Sequence, residues 1–462
     1  MRNVKTFPPA IETHPVQRLM VSFARFAQME SAGSIALLFA TITALVLANS
    51  HFADTYRHFI EFPMSGSFGH FSVRWNFQEF VNDALMAYFF LLVGLEVKRE
   101  ILVGQLATAR RALLPLLGAL GGVVAPALLY WAVNRSGPEA AGWGIPIATD
   151  IAFALATVGI FGSRVPVGLR MFLLTLAVID DIAGVFVIAV AYSGQLHLQY
   201  LALACLLFLI ALGLNRAGVI SLATYLVIGV ALWVAFYASG VHATLAGVAI
   251  ALAIPAEGLL PSENFLEEQR DRLTEVARSA EMGHPLSREA RRRLHRIRSS
   301  IKVLESPLDR MESRLHPWVS FGILPLFALV NAGVSLRDVQ SESVLTQPMF
   351  YGIMLGLLVG KPVGIMLACW IAVRLRLAEL PVNVRWRELH AVSWLGGIGF
   401  TVSIFIADLA FRSSKQYTIS RIAIFAASLC AASIGAAMLA VVYPRSPRRR
   451  KPGVDMEPDS GK

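Results

Sequence analysis

The sequence predicts an all-α polytopic membrane protein with about twelve transmembrane helices, and three observations carry that prediction. Hydrophobic residues make up 56% of the chain and charged residues only 16%, with a mean hydropathy of +0.60, outside the usual range of soluble domains. The apolar residues fall in repeated runs of roughly twenty, and at about 1.5 Å per residue such a run spans roughly 30 Å of hydrocarbon. The basic residues are distributed unevenly between those runs. With the N-terminus inside, 33 of the 41 Lys and Arg fall on inner segments and 7 on outer ones. Both termini are therefore expected in the cytoplasm. The one remaining basic residue, Lys361, sits inside a span.

Spans are expected at 32–49, 78–102, 112–134, 143–161, 169–192, 198–214, 218–238, 241–255, 317–334, 349–373, 390–411 and 420–443. A polar N-terminal segment, 1–30, precedes them without a signal-peptide pattern. The transmembrane domain is expected over 31–445, with a charged cytoplasmic loop at 256–316 inside it and a basic tail at 446–462. In that loop, 266–303 mixes charges with apolar residues at helical spacing, which predicts one or two amphipathic helices with a solvated face. Between the first two spans, Ser65-Gly66-Ser67-Phe68-Gly69 precedes Phe71-Ser72-Val73-Arg74-Trp75. The period-two alternation suggests a small β-hairpin on the outer face, though an irregular loop fits the same residues. An exposed edge strand there could pair with its symmetry mate and form a homodimer. Cys205, Cys369 and Cys430 lie in apolar spans as small packing residues, with neither metal nor disulfide spacing.

The fifth span carries Leu173-Leu174-Thr175-Leu176-Ala177-Val178-Ile179-Asp180-Asp181-Ile182-Ala183, with two acids at its centre. Charges at that depth cost about 3 kcal/mol each even on the lenient insertion scale, so they mark a cation or proton site. Lys361, central in span ten, lies too far from either surface to snorkel and needs a carboxylate partner. A purely structural ion pair would satisfy it equally. Asp150 lies near the middle of span four behind Gly142, Gly144 and Pro146, a pattern that predicts a helix breaking in mid-membrane. Span eleven has a comparable interruption at Gly396-Gly397-Ile398-Gly399. Interrupted spans in corresponding halves point to a site between inverted repeats, here spans three to five and ten to twelve. Carboxylates, the Thr149 hydroxyl and freed backbone carbonyls suit a hard cation such as Na⁺ or Li⁺.

Several stretches together resemble the signatures of one family. They are Phe90-Leu91-Leu92-Val93-Gly94-Leu95-Glu96-Val97-Lys98-Arg99-Glu100, Ala148-Thr149-Asp150-Ile151-Ala152-Phe153, Ile179-Asp180-Asp181, Gly240-Val241-His242-Ala243-Thr244-Leu245-Ala246-Gly247 and Gly360-Lys361-Pro362. With His316-Pro317-Trp318 and Asn331-Ala332-Gly333-Val334, they are similar, across about 25–445, to the NhaA family of sodium/proton antiporters, which itself exemplifies inverted repeats. The resemblance implies an NhaA-like fold with crossing, interrupted spans four and eleven. It implies Asp181 as the main ion and proton carboxylate, Asp180 as its neighbour paired with Lys361, and Asp150 between the half-helices with Thr149 as companion ligand. Glu96, Glu312 and His316 fall where the family keeps a pH-responsive cytoplasmic cluster.

The function so implied is exchange of cytoplasmic Na⁺ or Li⁺ for external H⁺ by alternating access, pH-regulated and electrogenic, in a bacterial inner membrane. No enzyme activity, cofactor or nucleic-acid partner is expected. Departures are the long 256–316 loop, Ser313 where some members carry histidine, and Asp408 where a small residue is usual. A proton- or sodium-coupled organic-anion transporter would need a roomier polar cavity. An intramembrane aspartyl protease using Asp150 and Asp180 would need Gly-x-Gly-Asp, whereas Val178-Ile179 precedes the acid.

Overall fold

The structure, a computed structural model, describes residues 32–68, 71–256, 306–335, 344–412 and 415–444. The expected N-terminal segment, the amphipathic helices within 266–303 and the basic tail lie outside the described residues. Helix α1 (Ala32–Ala48) turns by 118° into the short α2 (Ala53–Ile60). Strands β1 (Pro63–Phe68) and β2 (Phe71–Asn76) then pair antiparallel, with Met64 opposite Trp75 and Phe68 opposite Phe71. Asn76 starts α3 (Phe77–Leu102) through a capping box. Its side chain accepts from the Glu79 amide at 2.7 Å, and the Glu79 carboxylate accepts from the Asn76 amide at 2.9 Å.

Next come α4 (Ala109–Val133) and a 3-10 segment, Pro138–Ile147, that gives way at residues 148–150 to α5 (Ile151–Gly159). The long α6 (Val167–Ala191) carries both central acids. Helices α7 (Leu198–Arg216) and α8 (Leu222–Ser239) follow, then α9 (Leu245–Ala253) and α10 (Pro307–Asn331). Helix α11 (Pro348–Arg374) has one π-helical turn, Gly356–Gly360, immediately before Lys361. Helices α12 (Trp386–Leu395) and α13 (Phe400–Phe411) meet at a 45° bend, and α14 (Lys415–Val442) closes the described chain.

Nine of these helical units are long and apolar enough to cross a membrane, or up to eleven if each bent pair counts as one span, among the described residues. The count falls short of the expected twelve at 241–255. Gly240 ends α8 in the left-handed region at φ +82°, and the chain then turns before it re-forms helix only at Leu245. Nine helical residues rise about 14 Å, half of a hydrocarbon core. The polar loop also ends earlier than expected. Ser306 caps α10 by accepting from the Asp309 amide at 3.0 Å, so 307–316, with Glu312 and His316, is helical.

Burial separates central from peripheral helices. Of the residues in an 18-residue apolar stretch of each, 61% are buried in α6 but only 11% in α7. Helices α4 and α11 pack closely enough to bring backbone against backbone. A β-carbon on Gly121 would lie 2.2 Å from the Gly364 carbonyl oxygen, and one on Gly364 would lie 2.1 Å from that of Gly121. Without a hydrophobic force between helices in lipid, such small-residue contacts carry association. This crossing positions Lys361, one turn before Gly364.

Gly364→Ala should therefore force the two helices apart and destabilise the protein by about 1–3 kcal/mol, the usual range for overpacking. Gly213→Ala on α7, where an added methyl group meets nothing within 4 Å, serves as the control. Thermal unfolding of the purified variants in detergent checks this: equal melting temperatures would contradict the close contact.

Candidate functional site

The two breaks in the chain meet each other. Backbone groups freed in an apolar interior must find partners inside the protein, and here each break supplies some of them to the other. The Asp150 amide donates to the Ile398 carbonyl at 2.6 Å, and the Ser403 hydroxyl donates to the Ile145 carbonyl at 2.8 Å. Thr401 donates to Asp150 Oδ2 twice, from its amide at 3.1 Å and its hydroxyl at 2.6 Å. Asp150 Oδ1 accepts from the Phe153 amide at 3.2 Å. One buried carboxylate thus caps α5 and also faces the first turn of α13, so its charge offsets two helix N-terminal dipoles. The residue type follows: an acceptor-only anion is what two converging N-termini require.

Lys361 enters the same crossing from α11. Its ammonium lies 2.8 Å from Asp180 Oδ2, with both side chains fully buried, and it also donates to the Ile147 carbonyl at the end of the 3-10 segment. Thr149 Oγ1 stands 2.7 Å from Asp180 Oδ2 and 2.8 Å from the Gly396 carbonyl. A hydroxyl has one proton to donate, so two acceptors compete for it and its choice follows the charge on Asp180. Glycine keeps the break compact beside the lysine: a β-carbon on Gly396 would press to 3.0 Å from Ile365 Cδ1 and 3.1 Å from the Ser393 carbonyl oxygen.

Asp181 points elsewhere, since successive residues on a helix diverge by about 100°. It is 4% exposed. Its Oδ1 and the Oδ1 of Asp180 are buried and make no hydrogen bond among the described residues. Buried polar atoms in folded proteins are almost always satisfied, and these two oxygens are exceptions to that rule. Among the described residues no three His, Cys, Asp or Glu side chains gather as a metal cage. The donors here are two carboxylates, a hydroxyl and freed carbonyls, hard oxygens suited to a transported alkali cation rather than a resident transition metal. Glu96 on α3 lies within electrostatic reach of Asp181 and of Glu312.

The sequence-expected cytoplasmic cluster comes together only in part. Arg99 Nη1 bonds Glu312 Oε1 at 2.8 Å, joining α3 to α10, and Glu312 Oε2 is buried without a partner among the described residues. His316, one turn further, is exposed. The roles of Thr401 and Ser403 escaped the sequence reading, although their hydroxyls directly after a Gly-rich break were the available signal. Asp408 is engaged as well. It accepts from Asn82 Nδ2 at 2.9 Å, and Asn82 and Asn331 exchange amide hydrogen bonds at 2.7 and 3.1 Å.

Residues 24–439 match the sequence model of the Na⁺/H⁺ antiporter 1 family. The chain is similar to the Na⁺/H⁺ antiporter NhaA of Koribacter versatilis, 43% identical over 92% of this chain and 92% of the relative. It is 43% identical to the NhaA of Pseudomonas putida strain GB-1, over 92% of this chain and 98% of that one. Against the NhaA 2 of Syntrophotalea carbinolica it is 42% identical, over 90% of this chain and 95% of that one.

Removing Lys361 leaves Asp180 as a buried charge without its partner, a loss of about 3–5 kcal/mol. Lys361→Ala should lower the melting temperature accordingly, and adding Asp180→Asn should recover part of it. A double-mutant cycle by thermal unfolding measures the coupling; strictly additive losses would mean that the pair contributes no stability.

Proposed function

Because this chain belongs to the Na⁺/H⁺ antiporter 1 family, we propose that it exchanges Na⁺ for H⁺ at the buried carboxylates Asp181 and Asp180. The single observation that carries the assignment is the pair of unpartnered carboxylate oxygens beside the crossing of two broken segments. Asp181 takes the ion, with Asp180 Oδ1 and the Thr149 hydroxyl as further donors. Asp150 stays with the two helix N-termini and holds the crossing together.

Charge explains the exchange. Two ionised carboxylates about 5 Å apart repel by roughly 3 kcal/mol at an effective dielectric near 20, and Lys361 offsets only one of them. A further positive charge is needed, and either Na⁺ or a proton supplies it, so the two compete for one site. Coupling follows without additional machinery. A second proton carried by the same cluster makes exchange electrogenic. Alternating access then needs only that the half-helices move relative to the other repeat, exposing the site to one side at a time. Arg99, Glu312 and Glu96 at the inner ends of α3 and α10 bias that movement with pH. The exposed His316, one turn beyond Glu312, belongs to the same group. Cytoplasmic termini, an inner-membrane location, Li⁺ as a second substrate and a homodimer paired through an outer-face hairpin complete this reading.

Asp181→Asn should abolish both Na⁺ binding and Na⁺-dependent proton release, while Asp180→Asn keeps weakened binding. Isothermal titration of Na⁺ into the purified variants at alkaline pH, in buffers of different protonation enthalpy, reads both quantities. Normal Na⁺ binding by Asp181→Asn would sink the assignment.

Glu312→Gln removes the Arg99 partner without touching the crossing. It should displace the pH of half-maximal exchange in everted vesicles and leave the maximal rate within about threefold, under 1 kcal/mol in the barrier. An unmoved pH profile would assign the response to the ion site alone.

A further inference from the structure

The first amides of a helix have no partner within it, and at the start of α13 that demand falls in the buried middle of the protein. The Ser403 amide is the first to bond back along the chain, to the Gly399 carbonyl at 3.0 Å. Phe400 and Thr401, before it, donate outside the helix. The Thr401 amide goes to Asp150 at 3.1 Å. The Phe400 amide goes to a different element, to Ser428 Oγ on α14 at 3.2 Å, with both residues buried.

Helix α14 meets the break along one face. Phe425, Ser428, Ala431 and Gly435 follow at intervals of three and four residues, which sets them in one row. The Phe400 ring packs against Phe425 of α14, with centroids 5.4 Å apart, and against Phe153 of α5 at 4.9 Å. A β-carbon on Gly397 would lie 3.3 Å from Ala431 Cβ, and one on Gly435 would press on the Leu395 side chain. The row therefore tracks the chain from the end of α12 through the break to the start of α13. Ser428 is its one polar member. Alanine would pack there as well; what the hydroxyl adds is an acceptor for the Phe400 amide.

The consequences reach the ion site through short links. Phe400 adjoins Thr401, which holds Asp150. The Gly396 carbonyl on the other side of the break stands 2.8 Å from Thr149 Oγ1, and that hydroxyl is 2.7 Å from Asp180. We propose that Ser428 is a positioning residue for the ion site, fixing the start of α13 and with it Thr401 on Asp150 and the Gly396 carbonyl beside Thr149. This rests on the Na⁺/H⁺ exchange inferred above and adds to it a residue outside the carboxylate cluster. Without the Ser428 oxygen a buried amide stands unsatisfied, and the break relaxes to relieve it.

The test compares Ser428→Ala, Ser428→Thr and a control, Ser420→Ala, in the full-length protein. Ser420 is also buried on α14, but its hydroxyl donates within that helix, to the Gln416 carbonyl at 2.8 Å. Na⁺-dependent proton movement in everted vesicles gives KM and maximal rate, and isothermal titration of purified protein gives Na⁺ affinity. Ser428→Ala should raise the KM and Kd for Na⁺ about three- to tenfold, the span of one lost buried hydrogen bond. Its maximal rate should stay within about twofold, the split expected when ion binding is what suffers. Ser428→Thr returns the hydroxyl and should restore both constants, and Ser420→Ala should match wild type. Ser428→Cys, close in size to serine but a weak acceptor, should follow the alanine variant and replaces it if that protein does not accumulate. Unchanged KM and Kd in Ser428→Ala, even with a lowered melting temperature, would overturn the proposal, since the hydroxyl then serves stability alone. So would a rise that threonine does not reverse, or an equal rise in Ser420→Ala. Failure of the exchange reading shows separately, as wild type that moves no protons when Na⁺ is added.

Discussion

Backbone amides and carbonyls freed where a helix breaks in an apolar interior must find partners inside the protein, and the centre of this structure is arranged around that constraint. The end of the 3-10 segment and the start of α5 face the gap between α12 and α13. Asp150, Thr149, Ser403 and Thr401 connect them through hydrogen bonds of 2.6–3.1 Å. Every other polar group at the crossing is arranged around this exchange. Lys361 bonds a carbonyl that the break exposes at Ile147, so the same break that creates backbone demand also anchors the membrane lysine.

Electrostatics then separates two acids that the sequence leaves side by side. Asp180 is held by Lys361 at 2.8 Å and by Thr149 at 2.7 Å, whereas Asp181, a hundred degrees round the helix, meets neither. A carboxylate pair with a single resident cation is one positive charge short, and that deficit is what a transported ion or a proton can make up.

Tight helix packing makes the arrangement possible. Gly121 and Gly364 let α4 and α11 touch at backbone distance, which places Lys361 within reach of α6. At the opposite margin, Asp408 departs from the small residue the family resemblance would suggest, yet it is not stranded. Asn82 donates to it, and the Asn82–Asn331 pair is in turn gripped by Gln78 at 2.9 Å and Tyr417 at 3.0 Å through Asn331 Oδ1. The network ties α3, α10, α13 and α14, so the added acid is absorbed by amides already present.

The sequence by itself determined the membrane class, because long apolar runs with few charges are conspicuous. It also carried the motifs of the family to which the chain belongs. Tertiary structure alone decided lateral matters. Position along a helix gives depth, but which neighbour a side chain meets depends on how helices pack. Thus Thr149 reaches both Asp180 and Gly396, Thr401 rather than a longer side chain holds Asp150, and Glu312 joins Arg99 while His316, one turn away, faces outward. Hydropathy likewise could not see that 241–255 yields only a nine-residue helix. A left-handed Gly240 and the turn behind it spend the residues that a full crossing would need, and apolar composition is the same whether a segment spans or merely packs.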